Sequence, residues 1–541
     1  MGMLTINSSP KREFGSVKKS AHIKRLLCAF LRSAFACALL FSPALGQGDI
    51  DTRLEAFITR QRAANGPLEA AHISEGNRLL DEISTRLTSS PELDDKRHLD
   101  LLRVVGRGQI RQWRGLSTGR SKATEQRLSD RIVSSIKLRM SPKLKEMLQR
   151  NVLLIPHLHE PDLRAGAAIL LGELDDEAST LALLNATKDE SRDVRDCAAE
   201  AVVGRDSTAV HSYLLRLFIA VESGELELTT IPLERHFQTI GPEEGSAAER
   251  RLYEYARERF TGASWQTASR AISLSKKLND RLIVPLLIEA MSTWISRKEA
   301  GGQAGRVLGE LEQELSERSG LRLGQRPTRW RTWWRSIKNG RSKLPSESPQ
   351  INRTRASFFG LRPNTDRVIF VLDGSGSMEA LFTNDSAGTT SRENTRFKEA
   401  TAQLIGCLEK LGEGTRFDVI IFNDKVRRFR SELVLANEST LKALKAWIKR
   451  KPPEGGTNLR GGVVDAIRRA KNADHAADTI IVLCDGETLQ GPSWVAPFIR
   501  SFNEKARVRF SAVQLGGQSD GTLEELCTHT DGNYTEISDS L

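Results

Sequence analysis

Hydrophobic and polar residues follow two different patterns along this chain of 541 residues. Between Leu54 and Gly320 the apolar residues recur every three or four positions, which is the period of amphipathic helices. From residue 362 onward, short continuous apolar runs alternate with segments of helical period. That alternation predicts a doubly wound, mainly parallel α/β sheet. We therefore expect a multidomain protein with an all-α N-terminal region and a C-terminal α/β domain.

The apolar runs of the C-terminal part give the candidate strands. A strand that is buried on both faces of a parallel sheet needs an uninterrupted apolar run, and several of the runs have this character. The short run at 426–429 is expected at an edge of the sheet. The candidate strands are residues 367–372, 417–422, 426–429, 479–484, 508–515 and 534–537.

A short pattern repeats within the helical region. The sequence D-apolar-R-x-x-A-A begins at Asp162 and again at Asp193, which suits a repeated helical hairpin. Arg164 and Arg195 can reach a carboxylate of the neighbouring repeat, and the small alanines allow close helix packing. The pattern resembles HEAT-like repeats. The predicted HEAT-like region covers residues 50–339.

Two functions of the helical region are open from the sequence. Stacked hairpins form an extended surface that can hold another protein, but they can also act as a spacer that presents the next domain. Trp330, Trp333 and Trp334 close the region and are expected to cap its apolar end, with an aromatic ligand site as the alternative. A basic linker that contains serine and proline follows at residues 340–361.

The N-terminal residues have the composition of an export signal. In residues 1–46 a basic stretch precedes an apolar run at 33–41, which small residues follow. Cleavage before Gln47 would release a signal peptide, whereas an uncleaved span at Leu26–Leu45 would anchor the chain in a membrane. Both interpretations predict export to the periplasm, the cell envelope or the extracellular space of a bacterium.

Charge and cysteine content exclude several functions. The formal net charge of +11 is concentrated in residues 1–46 and 321–355. The rest of the chain lacks the basic face that nucleic-acid binding requires, so no nucleic-acid partner is expected. The cysteines beyond the export signal form no C-x-x-C pair, and we expect buried free thiols. They are Cys197, Cys407, Cys484 and Cys527.

Polar residues gather where the candidate strands end. Asp373, Ser375 and Ser377 follow the first strand, Thr457 lies in a glycine-rich loop, and Asp485 ends a neighbouring strand. Ligands of doubly wound sheets bind at the carboxyl ends of the strands. Two carboxylates and three hydroxyls form an all-oxygen set, which favours Mg²⁺, or Mn²⁺ or Ca²⁺ in its place, over zinc.

These five residues, in this order and context, resemble the metal-ion-dependent adhesion site (MIDAS) of von Willebrand factor type A domains. The resemblance covers residues 362–541. It implies that the two serines and the threonine contact Mg²⁺ directly, and that the two aspartates hold it directly or through water. It also implies that an acidic residue of a partner protein completes the coordination shell.

The sequence therefore predicts an exported, metal-dependent protein-binding protein of the adhesion type. The alternative is a cell-envelope scaffold in which the helical repeats bind the main partner and the C-terminal domain regulates. We expect no enzyme activity, because no nucleophile or base accompanies the oxygen set.

The two G-x-S-x-G sequences, at 115–119 and 517–521, are interpreted as surface loops. The insertion at 379–395 is either a specificity lip over the metal or a loop without a role.

Overall fold

The computed structural model describes most of the chain from residue 50 onward. The predicted signal or anchor at 1–46, most of the linker at 340–361 and the centre of the insertion at 379–395 lie outside the described residues. The described residues are 50–85, 91–117, 119–262, 264–340, 357–382, 394–411, 414–470, 476–486, 488, 491–503, 506–516, 519–530 and 532–537. The chain divides into two units after Ala56, of which the second, Phe57–Leu541, is compact. The second unit contains both the helical region from Phe57 onward and the α/β domain.

The N-terminal region is helical throughout its described length, as its periodicity predicts. Its α-helices are α1 (Ile50–Ala63), α2 (Ala70–Thr85), α3 (Pro91–Trp113), α4 (Gly119–Arg139), α5 (Pro142–Met147), α6 (Pro161–Gly172), α7 (Glu177–Ala186), α8 (Arg192–Val202), α9 (Thr208–Ser223), α10 (Ile231–Thr239), α11 (Ala247–Phe260), α12 (Trp265–Leu274), α13 (Asp280–Glu299), α14 (Gly305–Ser319) and α15 (Pro327–Lys338). A π-helical turn at Leu148–Val152 and a 3₁₀ turn at Pro156–Leu158 join α5 to α6.

Each copy of the repeated pattern places its arginine at a junction between neighbouring helical hairpins. Arg164 in α6 forms a buried ion pair with Asp189, which precedes α8, at 2.8 Å. Arg195 in α8 instead donates to the backbone carbonyls of Asp189 and Glu227, at 2.7 and 2.8 Å. The expected contact with a carboxylate is therefore made by the first arginine, whereas the second stabilises the junction through backbone acceptors.

The tryptophan cluster is part of the packed core of the helical region. Trp330, Trp333 and Trp334 are all buried in α15, which packs against α13. The rings of Trp330 and Trp333 meet edge to face with centroids 5.7 Å apart. This packing agrees with the expected capping role of the cluster.

The C-terminal domain is a seven-stranded sheet with helices. Its strands are β1 (Arg367–Asp373), β2 (Arg416–Phe422), β3 (Val426–Arg428), β4 (Val434–Leu435), β5 (Thr479–Cys484), β6 (Arg509–Leu515) and β7 (Tyr534–Ile537). Its α-helices are α16 (Arg396–Glu409), α17 (Glu438–Ile448), α18 (Leu459–Ala470), α19 (Val495–Phe498) and α20 (Thr522–Thr528). Short 3₁₀ turns lie at Gly376–Glu379 and Pro492–Trp494, and a π-helical turn lies at Ile499–Asn503.

The strand order is β3-β2-β1-β5-β6-β7, and β4 also pairs with β2. The pairs β1–β2, β1–β5, β5–β6 and β6–β7 are parallel, whereas β3 and β4 run antiparallel to β2. Every residue of β1 is buried, because helices cover both faces of the sheet. The predicted fold class and every predicted strand are confirmed, with β3 at an edge. Strand β4 was not predicted from the sequence, because it is only two residues long.

The helical region packs against the edge of the sheet where the strands begin. Arg306 in α14 donates to the backbone carbonyls of Asp478 and Arg507, at 2.9 and 2.7 Å, just before β5 and β6. The guanidinium of Arg507 pairs with Glu234 in α10, with one contact at 3.0 Å. These contacts lie at the amino ends of the strands, so the carboxyl ends face away from this contact.

A second contact corrects the interpretation of the first G-x-S-x-G sequence as a surface loop. Ser117 is buried, and Gly115 has a positive φ of 68°. A Cβ atom at Gly115 would lie only 1.5 Å from the backbone oxygen of Ser493 in the C-terminal domain. Glycine is therefore required where these two backbones meet. Of the second copy, Gly517 and Gln518 lie outside the described residues.

Two further expectations concern cysteines and membrane spans. Cys197, Cys407, Cys484 and Cys527 are buried free thiols, as predicted. Among the helices that the structure describes, none combines the length and the hydropathy that crossing a membrane requires.

Candidate metal centre

The turn after β1 is fixed by backbone hydrogen bonds to two neighbouring segments. The amide of Gly374 donates to the carbonyl of Phe422 at the end of β2, at 2.8 Å, and the amide of Gly376 donates to the carbonyl of Gly455, at 3.0 Å. A Cβ atom at Gly374 would lie 2.6 Å from a methyl group of Ile421, so only glycine fits there. The turn is therefore held between β2 and the glycine-rich loop before α18.

Four of the five predicted side chains are connected through hydrogen bonds. The amide of Ser375 donates to Oδ1 of Asp373 at 2.8 Å, and the hydroxyls of Ser375 and Ser377 lie 3.0 Å apart. The hydroxyl of Ser377 donates to Oδ1 of Asp485 at 2.8 Å. Residues from the ends of β1 and β5 thus meet at the carboxyl edge of the sheet, as parallel pairing of these strands requires.

The fifth residue, Thr457, lies in the loop that borders the turn. The amide of Gly456 donates to Oδ1 of Asp424 at 3.1 Å, and the amide of Asn458 donates to the carbonyl of Asn423, also at 3.1 Å. Both neighbours of Thr457 are therefore tied to the segment after β2. Within the described part of the chain, no hydrogen bond joins the Thr457 side chain to the other four residues.

Asp373 is a buried carboxylate without a basic partner among the described residues. Burial raises its pKa to about 6, and the nearby charge of Asp485 adds to this shift, whereas hydrogen bonds from Cys484 and Ser375 oppose it. By contrast, the buried carboxylate of Asp418 forms an ion pair with Arg469. A buried negative charge is costly unless a positive charge compensates it, so the surroundings of Asp373 suit a cation.

The donor atoms of this site fit a hard divalent cation. Carboxylate and hydroxyl oxygens are preferred by Mg²⁺, Mn²⁺ and Ca²⁺, and imidazole and thiolate ligands are not among the five predicted residues. The described residues contain no group of three or more His, Cys, Asp or Glu side chains placed to hold a metal ion. Any ion at this site would therefore depend on the hydroxyls as well as on the two aspartates.

Two residues beside this site were not predicted from the sequence. The guanidinium of Arg396, at the start of α16, donates to Oδ2 of Asp485 at 3.0 Å. The thiol of Cys484 donates to Oδ2 of Asp373 at 2.9 Å. Arg396 follows the insertion and lies far from Asp485 in sequence, so no local motif reveals it. For Cys484, the signal in the sequence was its position directly before Asp485.

The described ends of the insertion are paired with each other. Leu381 and Thr395 form an antiparallel bridge, and the amide of Phe382 donates to the carbonyl of Asn394 at 2.9 Å. The insertion therefore leaves and rejoins the domain directly beside the turn. Whether residues 383–393 form a specificity lip stays a prediction, because they lie outside the described residues.

A cavity lies at the opposite edge of the sheet. It has a volume of about 360 Å³ and is bordered by α10, α12 and α14 and by Val508 and Arg509 at the start of β6. Its charged walls include the ion pairs of Arg507 with Glu234 and of Arg509 with Glu310. The cavity therefore belongs to the contact between the helical region and the sheet, and it does not include any of the five predicted residues.

Comparison with known proteins identifies the C-terminal part. Residues 366–536 match the family described as von Willebrand factor type A domain. This region is a von Willebrand factor type A domain. Domains of this type generally mediate protein–protein interactions.

Animal proteins are among the relatives of this domain. Inter-alpha-trypsin inhibitor heavy chain H1 of Mesocricetus auratus is 27% identical over 175 residues, which cover 30% of this chain and 18% of that protein. Heavy chain H2 of Homo sapiens is 24% identical over 163 residues, which cover 29% of this chain and 16% of that protein. The chain thus spans less than a fifth of the length of these relatives.

Solved bacterial structures are also similar to this part of the chain. A von Willebrand factor type A protein from Catenulispora acidiphila has 21% sequence identity and a TM-score of 0.26, covering 32% of this chain and 39% of that chain. BatB from Bacteroides thetaiotaomicron has 18% identity and a TM-score of 0.25, covering 32% of this chain and 91% of that chain.

Proposed function

We propose that this protein is a metal-dependent protein-binding module that captures an acidic residue of a partner protein. Asp373, Ser375, Ser377, Thr457 and Asp485 would hold Mg²⁺, or Mn²⁺ or Ca²⁺ in its place. The bound ion would supply an electrophilic position for a carboxylate oxygen. The proposal assigns no catalytic role to the chain.

One observation carries this proposal. Asp373 is fully buried, has no basic partner among the described residues, and belongs to a hydrogen-bonded group of oxygen donors at the carboxyl edge of the sheet. A buried carboxylate in an oxygen-rich turn is stabilised by a cation, and burial raises the pKa of Asp373 to about 6. The buried carboxylate of Asp418, by contrast, is paired with Arg469.

The chain's own residues would prepare the site for its ligand. The hydrogen bonds from Ser375 and Cys484 fix both oxygens of Asp373, so its orientation does not depend on the ion. Ser377 is exposed, which leaves the outer side of the oxygen group accessible from solvent. A partner carboxylate would approach from that side, because the contacts that Arg306 makes lie at the opposite, amino ends of β5 and β6.

We also propose export, which rests on the sequence of residues 1–46 alone. The basic stretch and the apolar run are those of a signal peptide or an N-terminal anchor. The helical region would act as a HEAT-like support that presents the domain through its contacts at the amino ends of β5 and β6. In the cell envelope, such a protein could capture a partner that carries an exposed acidic residue.

The proposed metal site can be tested by titrating Mg²⁺ into the purified protein in an isothermal calorimeter. Wild type should bind one ion per chain at neutral pH, and Asp373→Asn should abolish detectable binding because the buried negative charge is lost. Asp206→Asn, which removes an exposed carboxylate of the helical region, is the matched control and should bind like wild type. Equal binding by all three proteins would refute the assignment.

A further inference from the structure

The ion pair between Arg396 and Asp485 puts a positive charge beside the proposed metal site. The guanidinium lies 3.0 Å from Oδ2 of Asp485, whose side chain is fully buried, and the side chain of Arg396 is itself only 13% exposed. Such a pair is shielded from solvent, so its charge acts more strongly on neighbouring groups than a surface charge would. Arg396 is therefore an electrostatic component of the site.

The position of Arg396 is fixed by the backbone. Its amide donates to the carbonyl of Ala380, at 2.9 Å, at the end of the turn that carries Ser375 and Ser377. Thr395 caps α16, because its hydroxyl accepts a hydrogen bond from the amide of Lys398 at 3.2 Å. The start of α16 is thus joined to the same turn that supplies the proposed ligands.

The pair also occupies the second oxygen of Asp485. Oδ1 of this carboxylate accepts from Ser377 and Oδ2 accepts from Arg396. Asp373, by comparison, accepts from Ser375 and from the thiol of Cys484, and it has no basic partner among the described residues. The positive charge of Arg396 therefore compensates one of the two aspartates and leaves the other uncompensated.

The charges of these three side chains determine which ligand suits the metal-loaded site. Asp373 and Asp485 carry two negative charges and Arg396 carries one positive charge, so these three groups sum to one negative charge. A divalent ion then gives the site one positive charge, and a single external carboxylate restores neutrality. Without the arginine the ion alone would neutralise the site, and a carboxylate would bring excess negative charge.

We propose that Arg396 is a specificity-determining residue that makes the metal-loaded site require an anionic ligand. This inference rests on the proposed function, because it assumes a divalent ion at the site. Arg396 weakens binding of the ion alone and strengthens subsequent binding of a carboxylate. The two effects have opposite signs, and a merely structural arginine would not produce them together.

The test compares wild type with Arg396→Gln and Arg396→Lys in titrations with Mn²⁺ alone, at low ionic strength. Arg396→Gln should bind Mn²⁺ roughly tenfold more tightly than wild type, the size expected when one unit charge is removed near a divalent ion. Arg396→Lys keeps the charge and should stay within about twofold of wild type. Arg362→Gln, which removes an exposed arginine elsewhere in the domain, is the matched control.

The same titrations are repeated with acetate as a carboxylate probe and with acetamide as its neutral counterpart. Acetate should increase the apparent Mn²⁺ affinity of wild type, whereas acetamide should leave it unchanged. In Arg396→Gln, most of the increase caused by acetate should be lost. Unchanged or weaker Mn²⁺ binding by a folded Arg396→Gln would overturn the role of Arg396 alone. Failure of wild type to bind Mn²⁺ would overturn the proposed function itself.

Discussion

The thiol of Cys484 donates a hydrogen bond to Oδ2 of Asp373 across the boundary between β5 and β1, with sulfur and oxygen 2.9 Å apart. Both groups are buried, and burial together with the negative charge of Asp373 raises the pKa of the thiol well above its ordinary value. The thiol therefore remains protonated and serves as a donor. Cys484 orients the carboxylate that the proposed metal site needs.

Replacement of Cys484 should separate this orienting role from simple packing. Cys484→Ser keeps a donor of similar size and should bind Mg²⁺ within a few-fold of wild type. Cys484→Ala leaves Oδ2 of Asp373 without its donor and should bind roughly tenfold more weakly, as is typical when a group that orients a metal ligand is lost. Calorimetric titration measures both affinities, and equal affinities for the two variants would show that the thiol has no orienting role.

Ser377 offers a test that leaves the fold unchanged. Its side chain is exposed, and its hydrogen bonds are to Ser375 and Asp485. Ser377→Ala should reduce Mg²⁺ affinity at least tenfold because a direct ligand is lost, while the free energy of unfolding falls by only about 1 kcal/mol. Chemical denaturation in the presence of a chelator measures the free energy of unfolding. Normal metal binding by this variant would remove Ser377 from the proposed ligands.

The ion pairs between the helical region and the sheet predict a specific pH dependence. Burial by itself would raise the pKa of Glu310, but the charges of Arg306 and Arg509 outweigh it and hold this pKa at about 2. A pKa below the ordinary value of 4.5 means that the ionised carboxylate stabilises the folded state. That stabilisation is complete above about pH 4.5 and is lost as the pH falls toward 2.

Glu310→Gln isolates this contribution because the variant has no carboxyl group to titrate at that position. At pH 7 the variant should be less stable than wild type by about 3 kcal/mol, the equivalent of the pKa shift. The difference should shrink as the pH is lowered below 4.5. Urea denaturation at pH 7, 4.5 and 3 measures it, and a difference that stays constant across this range would contradict the argument.

The contacts of Arg500 allow a second test of how much the packing of the helical region against the C-terminal domain contributes to stability. Arg500 pairs with Asp193 at 3.2 Å and with Asp196, and its guanidinium lies 5.0 Å from the centre of the Trp113 ring. Arg500→Ala leaves the buried carboxylate of Asp196 short of a partner, so the free energy of unfolding should fall by about 3 kcal/mol. Arg500→Lys should recover only part of the loss. Thermal unfolding that is unchanged in both variants would show that this contact adds no stability.

The sequence predicts the fold and the five proposed ligands because both depend on local signals. Apolar runs such as 367–372 determine buried strands, and the polar residues that follow them, such as Asp373 and Asp485, must lie at the same edge of a parallel sheet. The two-residue strand β4 gives no such signal, since pairing with β2 rather than its own sequence determines its conformation.

Contacts between residues that are distant in sequence could not be predicted in this way. Arg396 is 89 positions from Asp485, and Arg507 is 273 positions from Glu234. Each of these arginines has many acidic residues as conceivable partners until the chain is folded. Similarly, Ser117 lies in a polar sequence typical of a surface loop, yet it is buried beside Gly115, whose lack of a side chain lets the backbone of Ser493 approach.

The central claim is that a divalent ion at Asp373 captures an acidic partner. The most direct test is capture of proteins from a cell-envelope extract by the immobilised full chain, in parallel with Mg²⁺, with chelator, and with Asp373→Asn in Mg²⁺. We predict a partner that binds wild type only with Mg²⁺ and that is lost with chelator and with Asp373→Asn. A partner that binds equally in all three conditions would contradict the claim and would place the binding surface on the helical region instead.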